Sequence, residues 1–135
     1  MKLVLDTNTI VSAIGWGGPP RRILLALREG AHTLVTSPDL LQELTAVLRY
    51  PKLRPIARHP LLPEILAWLH RPEHLIYPSE QVDAIRVDPA DNLVLEVAMA
   101  GKADVIVSGD RHILALKQFR GIPVMTAAAF ALQHL

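Results

Sequence analysis

Short apolar-rich runs along the chain alternate with stretches in which apolar residues have helical spacing. The runs have the length of strands, and they lie at residues 2–5, 32–36, 104–107 and 122–125. Between them, apolar side chains recur every three or four positions and predict helices at about 8–14, 21–30, 38–48, 63–70, 89–100, 111–117 and 126–134. Strands that alternate with helices predict a parallel sheet covered on both faces.

The middle of the chain is less regular. Four prolines interrupt residues 51–63, inside a Pro- and Arg-rich segment of about 49–72 that we predict to be helical in part. His74–Tyr77 is predicted to be a strand, and residues 82–87 are predicted to be either a strand or irregular. Because no repeat, low-complexity stretch or interdomain linker interrupts the pattern, residues 1–135 are predicted to form a single domain.

Acidic side chains follow two of the predicted buried strands. Asp6 directly follows the first run, and Asp110 closely follows the third. Open α/β sheets bind their ligands at this carboxyl edge of the strands. Glu43 and Asp91 lie at or near the starts of predicted helices, so a parallel sheet could gather four carboxylates at one edge.

Such a cluster points to a divalent cation. Carboxylates that lie close together repel one another and raise one another's pKa unless a cation neutralises them. Oxygen donors in a chain without cysteine select Mg²⁺ or Mn²⁺. These ions can activate a water molecule and stabilise the leaving oxygen of a phosphodiester, so the pattern indicates a metal-dependent nuclease.

Each acid also has a purely structural interpretation. Asp6 and Asp110 are placed to cap the helices that follow them. Glu43 fits a hydrated helix surface, and Asp91 lies in a first helical turn, where the helix dipole favours negative charge. These interpretations stay open for each residue alone. Neither strand end requires an acid for folding, however, and this favours the metal site for the set.

Composition limits the class of protein. Half of the 135 residues are apolar and 20% are charged, a balance typical of globular chains. The absence of cysteine excludes disulfides, thiolate metal sites and a cysteine nucleophile, and without a signal-peptide pattern we expect a cytoplasmic protein. No apolar run reaches the roughly 18 residues of a transmembrane helix. We find no P-loop, dinucleotide fingerprint or zinc-protease motif.

Charge is unevenly distributed, although the net charge is only +1. Residues 49–71 carry five Lys or Arg side chains against one acid, and residues 73–110 carry eight acids against two such side chains. A basic segment beside an acidic one fits a phosphate-binding rim next to a metal centre, with Arg54 and Arg58 as candidate RNA contacts. An ordinary helical hairpin with hydrated arginines explains the basic segment equally well.

The aromatic residues do not form a recognisable nucleic-acid motif. They are Trp16, Tyr50, Trp68, Tyr77, Phe119 and Phe130. Their separation along the chain is too large for a base-stacking platform, and we predict that they are core or lid residues.

Several short motifs together resemble one family. In chain order they are Leu3-Val4-Leu5-Asp6-Thr7-Asn8, Ser12, Trp16-Gly17-Gly18-Pro19, Ser37-Pro38, Leu41-Gln42-Glu43-Leu44, Asp88-Pro89-Ala90-Asp91-Asn92, Gly101-Lys102-Ala103-Asp104 and Ser108-Gly109-Asp110. Their order and spacing resemble the PIN-domain family, and specifically its branch of toxin–antitoxin toxins related to VapC-type ribonucleases. The resemblance covers the whole chain.

The resemblance implies a fold, an activity and partners. The fold is a three-layer α/β/α arrangement with a mostly parallel, about five-stranded central sheet and an acidic pocket at the strand ends. The activity is Mg²⁺- or Mn²⁺-dependent cleavage of single-stranded RNA by an endoribonuclease. The implied partners are a cognate antitoxin that covers the pocket and a second copy of the chain in a homodimer.

The resemblance also assigns roles to the acids. Asp6, Glu43 and Asp91 match the three acids expected to bind the metal directly or through water. Asp110 matches a fourth, more variable acid. With a metal-bound water as the nucleophile, no histidine or lysine is needed as a general base.

Neighbouring positions receive supporting roles. Asn8 and Ser108 match polar positions that orient the acids. One departure is that the branch often has an acid where Ala90 stands. Asp91, which precedes the buried helix, is therefore the better catalytic candidate, and Asp88 is auxiliary.

Two other classes of protein remain open on the sequence. A haloacid-dehalogenase-like phosphatase would also use Asp6 after a strand and Asp110 in a Gly-Asp pair. Against it, Asn8 stands where the usual second aspartate would be, and the chain is short for that fold. The other alternative is a PIN domain that binds RNA or a protein partner without catalysis.

Overall fold

The computed structural model describes residues 1–135, which contain one five-stranded sheet in the order β2-β1-β3-β5-β4. The strands are β1 (Lys2–Leu5), β2 (Thr33–Leu34), β3 (Val105–Val107), β4 (Gln118–Phe119) and β5 (Ile122–Met125). All neighbouring strands are parallel except the edge pair β4 and β5. The predicted mostly parallel sheet of about five strands is confirmed.

Helices cover both faces of this sheet. They are α1 (Thr7–Gly15), α2 (Gly18–Arg28), α3 (Pro38–Leu48), α4 (Arg54–Ala57), α5 (Leu62–Leu69), α6 (Asn92–Ala100), α7 (Arg111–Leu114) and α8 (Ala127–His134). Short 3-10 turns lie at Pro51–Leu53, Pro72–His74 and Pro89–Asp91. None of the helices combines the length and apolarity needed to cross a lipid bilayer.

Side chains of the central strands alternate between two hydrophobic cores. In β1, Leu3 and Leu5 belong to the larger core, which α1, α2, α5 and α8 also form. Val4 belongs to a smaller core on the opposite face, which is built mainly from α6 and includes Ile113 of α7. Because successive strand residues point to opposite faces, this partition shows a sheet between two helical layers. The predicted three-layer α/β/α fold is therefore confirmed.

The expected strand at His74–Tyr77 does not form. This segment starts in a 3-10 turn, and its only sheet-like contact is a single parallel bridge between Thr36 and Leu75. Residues 82–87 are irregular, one of the two outcomes left open.

The fifth strand is β4, which the hydrophobic pattern did not predict. Phe119 pairs with Ile122, so Arg120 and Gly121 form a two-residue loop. Both loop residues have positive φ, 50° and 84°, as a type I′ hairpin requires. A two-residue strand is too short to show alternation, and this explains the omission.

The Pro- and Arg-rich segment folds as helical pieces that pack against the first helix. Pro51–Leu53 and α4 follow directly after α3. At the end of α1, a Cβ atom on Gly15 would come within 2.6 Å of the Ile56 side chain, so α1 and α4 approach closely there. This packing brings the turn after α3 next to the turn after α1, at the carboxyl edge of the sheet.

Candidate active site

A cleft of about 680 Å³ opens at the carboxyl edge of the central strands. β1 and β3 are adjacent and parallel, so their ends meet at this edge. The cleft lining includes the four acids predicted from the sequence, Asp6, Glu43, Asp91 and Asp110, together with Asp88. The ends of β1 and β3, helix α3 and the 3-10 turn at Pro89–Asp91 thus bring together side chains that are far apart in the sequence.

Asp6 is held in place by three donors. Its carboxylate is buried, with 5% of the residue exposed. Oδ1 accepts the N–H of Thr9 at 2.8 Å and so caps α1, while Oδ2 accepts the Ser108 hydroxyl and, at 3.3 Å, the N–H of Gly109. The capping interpretation is correct, and the same carboxylate also lines the cleft.

Asp110 caps a helix in the same way. Its Oδ1 accepts the N–H groups of His112 at 2.7 Å and Ile113 at 3.1 Å, at the start of α7. Its own N–H donates to the Ser108 hydroxyl at 3.0 Å. The buried Ser108 therefore connects Asp6 with the backbone of Asp110, in keeping with the orienting role implied for it.

Asp91 differs from these two acids because its side chain caps no helix. Its Oδ2 is buried and has no hydrogen-bond partner. Burial, as the largest cause, and the negative charges of Asp110, Asp88, Asp6 and Glu43 together raise the pKa of Asp91 to about 7. A buried carboxylate oxygen without a partner is costly to the fold, so a ligand that supplies positive charge or hydrogen bonds would stabilise it.

Glu43 extends from α3 towards the other acids. Burial raises the pKa of Glu43 most, and the nearby charges of Asp88 and Asp6 raise it as well. The nearby Thr7 hydroxyl lowers the pKa of Glu43 and so offsets part of this rise. The contact between them does not meet the geometry of a hydrogen bond. Glu43 is therefore not the freely hydrated surface acid that its sequence position allowed.

The remaining polar residues of the cleft have lesser roles. Asp88 accepts the N–H of Ala90 at 3.2 Å and caps the 3-10 turn that leads to Asp91. Asn8 is exposed in the cleft and makes no side-chain hydrogen bond to the acids. An orienting role for Asn8 stays a prediction.

Asn92 is a positioning residue that the sequence reasoning missed. Its Oδ1 accepts the N–H groups of Ala84 at 3.1 Å and Ile85 at 2.9 Å, and its Nδ2 donates to the carbonyl of Ile85 at 2.7 Å. These bonds fix the irregular segment before α6 next to Asp91. The asparagine directly after the acid was the signal that the sequence offered.

The donor set fits a hard divalent cation. Carboxylate oxygens are the preferred ligands of Mg²⁺ and Mn²⁺, and the orphaned Oδ2 of Asp91 is available for one. No three His, Cys, Asp or Glu side chains lie close enough together to enclose an ion. Mg²⁺ keeps several water ligands and commonly uses only one or two carboxylates, so an enclosed shell is not required.

Basic and aromatic residues complete the cleft lining. Its only positively charged residue is Lys52, whereas Arg54 and Arg58 are exposed on and just after α4 and do not line it. Trp16 and Tyr50 line the cleft with 69% and 51% of their surfaces exposed, so of the two predicted positions, core or lid, the core is excluded for both. Neither was recognised as a site residue, because their proximity depends on the packing of α1 against α4.

Comparison with protein families agrees with this geometry. The family model described as PIN domain matches residues 2–112. The chain belongs to the PIN-domain family. Searches of curated proteins and of solved structures gave no match.

PIN domains are generally metal-dependent nucleases and commonly bind RNA. The matched region of this PIN domain begins in β1 and ends in α7, and it includes all four predicted acids. Membership in the PIN family replaces the haloacid-dehalogenase-like alternative considered from the sequence.

Proposed function

We propose that this PIN domain is a metal-dependent endoribonuclease that cleaves single-stranded RNA. The observation that carries the proposal is the buried, unpartnered carboxylate oxygen of Asp91 in a cleft shared with Asp6, Glu43 and Asp110. A site that gathers negative charge in this way is suited to a divalent cation.

Asp6, Glu43, Asp91 and Asp110 would hold Mg²⁺ or Mn²⁺, which when bound supplies an activated water and stabilises the leaving oxygen. The Ser108 hydroxyl and the N–H of Gly109 keep the Asp6 carboxylate fixed before any ligand arrives. A fixed carboxylate needs little reorganisation on ligand binding, and this favours catalysis.

A cleavage assay tests the proposal. Labelled single-stranded RNA should be cut with Mn²⁺ or Mg²⁺ and should stay intact with EDTA. The variant Asp91→Asn should be inactive, while Asp39→Asn, which changes an exposed acid outside the cleft, should cut as the wild type does. Cleavage that persists in EDTA or in Asp91→Asn would refute the proposed metal centre.

A finer role follows from the motif resemblance. We propose that the protein is the toxin of a toxin–antitoxin pair, that an antitoxin covers the cleft and that the toxin is a homodimer. Expression without a partner should then stop growth, and Asp6→Asn should relieve the arrest. Harmless expression of the wild type would contradict the toxin role, and a monomer in light scattering at micromolar concentration would contradict the dimer.

The second candidate is a PIN domain that binds RNA without cutting it. The spacing of the carboxylates, which enclose no metal by themselves, favours this reading. Tight RNA binding without cleavage at any Mn²⁺ concentration would support it over the nuclease.

A further inference from the structure

Two large aromatic side chains stand at the acidic cleft with most of their surface in solvent. Trp16 follows α1, and Tyr50 follows α3. Both line the cleft that contains the acids, and their rings form no stacked or edge-on pair with each other or with another ring. Their faces are therefore available to a ligand.

The turn that carries Trp16 is firmly held. The N–H groups of Trp16 and Gly17 donate to the carbonyl of Ser12 at 2.9 and 3.2 Å. Gly17 and Gly18 have φ values of 80° and 67°, which favour glycine. The exposed indole thus lies on a backbone with few alternative conformations, and this lowers the entropy cost of binding.

Arg21 stabilises the same turn through hydrogen bonds to the end of α1. Its Nε donates to the carbonyl of Ala13 at 3.0 Å, and its Nη2 donates to the carbonyl of Ile14 at 2.8 Å. These bonds satisfy the last carbonyls of α1. Since they engage the guanidinium with α1, Arg21 acts as a support for the Trp16 turn.

The Tyr50 turn adds a positive charge. The N–H of Tyr50 donates to the carbonyl of Val47 at 3.0 Å, and its own carbonyl accepts the N–H of Leu53 at 2.9 Å, so this backbone is also hydrogen-bonded on both sides. Lys52 projects from the same turn into the cleft lining and forms no ion pair with an acid. An ammonium group in the cleft lining without a paired acid suits a phosphate.

We propose that Trp16 and Tyr50 stack on unpaired nucleobases of the RNA substrate while Lys52 contacts an adjacent phosphate. The inference rests on the proposed ribonuclease function and names the residues that select a single strand. Bases in a duplex are stacked on one another and hide the faces that these rings would cover, whereas each base of a single strand can offer one. Stacking is tolerant of sequence, so the subsites would favour unpaired RNA of many sequences.

The test compares RNA with a fully abasic strand of the same length, both with a fluorescent label. Trp16→Ala and Tyr50→Ala should each bind RNA roughly tenfold more weakly, within the range for loss of one base–aromatic stack. Neither should lose affinity for the abasic strand. Lys52→Ala should weaken binding to both strands, because its contact is to phosphate.

Conservative variants and a matched control separate stacking from structure. Trp16→Phe and Tyr50→Phe keep a ring and should retain most of the affinity. Tyr77→Ala removes an equally exposed aromatic residue, 74% exposed and outside the cleft, and should bind as the wild type does. Tryptophan emission gives a direct readout: RNA should quench it in the wild type, and Trp16→Phe, which keeps only the buried Trp68, should show no quenching.

The outcomes distinguish this inference from the function on which it rests. Cleavage by the wild type combined with unchanged RNA affinity in both alanine variants would overturn the stacking role alone. Equal losses on RNA and on the abasic strand would do the same. RNA that the wild type neither binds nor cuts would overturn both proposals. A protein partner would then be the ligand expected at Trp16 and Tyr50.

Discussion

The four acids of the cleft form two pairs that the fold treats differently. Asp6 and Asp110 follow strands, and their carboxylates cap helices with hydrogen bonds of 2.7–3.1 Å. Glu43 and Asp91 come from helical segments, and burial raises the pKa of both. One pair stabilises the local structure, whereas the other leaves charge that the protein alone does not neutralise.

The difference between the capping acids and the acids with a raised pKa shows which residues indicate a function. A capping aspartate is explained by folding alone, so the positions of Asp6 and Asp110 are compatible with any function. The orphaned oxygen of Asp91 has no such explanation, and strongly perturbed carboxyl groups in a cleft are candidates for function. Asp91 is therefore the stronger indication of function, although the acids at the strand ends were easier to recognise in the sequence.

The largest effect is expected from replacing an acid of the proposed metal site, as in Asp6→Asn. The amide oxygen can still accept the Thr9 N–H, so the fold should be kept, while one negative charge is removed from the site. Metal-dependent cleavage should fall by roughly two orders of magnitude or more, as is typical when a metal-activated water supplies much of the rate. Single-turnover cleavage and Mn²⁺ titration measure this. Full activity with tight Mn²⁺ binding would show that the centre has been placed wrongly.

The next effect concerns stability and belongs to Asp91. Its pKa is raised from an ordinary value of 3.8 to about 7 in the folded protein. At a pH between these two values, folding is therefore accompanied by uptake of a proton. The contribution of Asp91 to stability is therefore present at low pH and is lost as pH rises through about 7. Without metal, Asp91→Asn should be more stable than the wild type at neutral pH, and the gap should close towards pH 4.

Chemical denaturation at several pH values measures that gap, and Asp39→Asn provides a control with an exposed acid. Added Mn²⁺ should stabilise the wild type more than Asp91→Asn, because a ligand that binds only the folded state shifts the equilibrium. If the stability of the wild type and of Asp91→Asn changed with pH in the same way, the pKa of Asp91 would not be raised by folding.

A smaller effect is expected when the link within the first pair is removed. Ser108→Ala deletes the hydroxyl that donates to Asp6 and accepts the N–H of Asp110. Groups that orient metal ligands typically contribute 10- to 100-fold to metal affinity or activity, and we expect a loss near the lower end because Gly109 still donates to Asp6. Ser108→Thr keeps the hydroxyl and should recover part of the loss. An unchanged Mn²⁺ affinity in Ser108→Ala would limit its role to packing.

The hydrophobic pattern predicted the central strands and long helices because each buries a continuous run or a helical face. The acids at the ends of β1 and β3 followed from that prediction, since parallel strands share an edge. By contrast, the strand expected at His74–Tyr77 was wrong, because an apolar segment that leaves a 3-10 turn can cover the sheet without joining it. Local sequence does not decide between those outcomes.

The proximity of Trp16 and Tyr50 could not be predicted from the sequence for a related reason. Trp16 and Tyr50 are 34 positions apart, and they reach one cleft because α1 meets α4 where Gly15 leaves room for Ile56. Likewise, the orphaned oxygen of Asp91 is defined by what surrounds it in space. Such properties depend on tertiary packing, which spacing along the chain does not encode.

The smallest effect is expected from replacing Arg54 and Arg58 together with alanine. Both lie outside the cleft, so metal binding should be intact, and their proposed contacts are to phosphates that flank the cleaved site. The slope of log affinity against log salt should fall by about 0.7 for each arginine that contacts a phosphate of a single strand. The loss of RNA affinity should therefore shrink at high salt. The double variant Arg71→Ala, Arg86→Ala removes the same charge from arginines that lie beside Glu73 and Asp83, and should change the slope less. Equal slopes for the wild type and the Arg54, Arg58 variant would identify the basic segment as hydrated surface and would leave Lys52 as the cleft's phosphate contact.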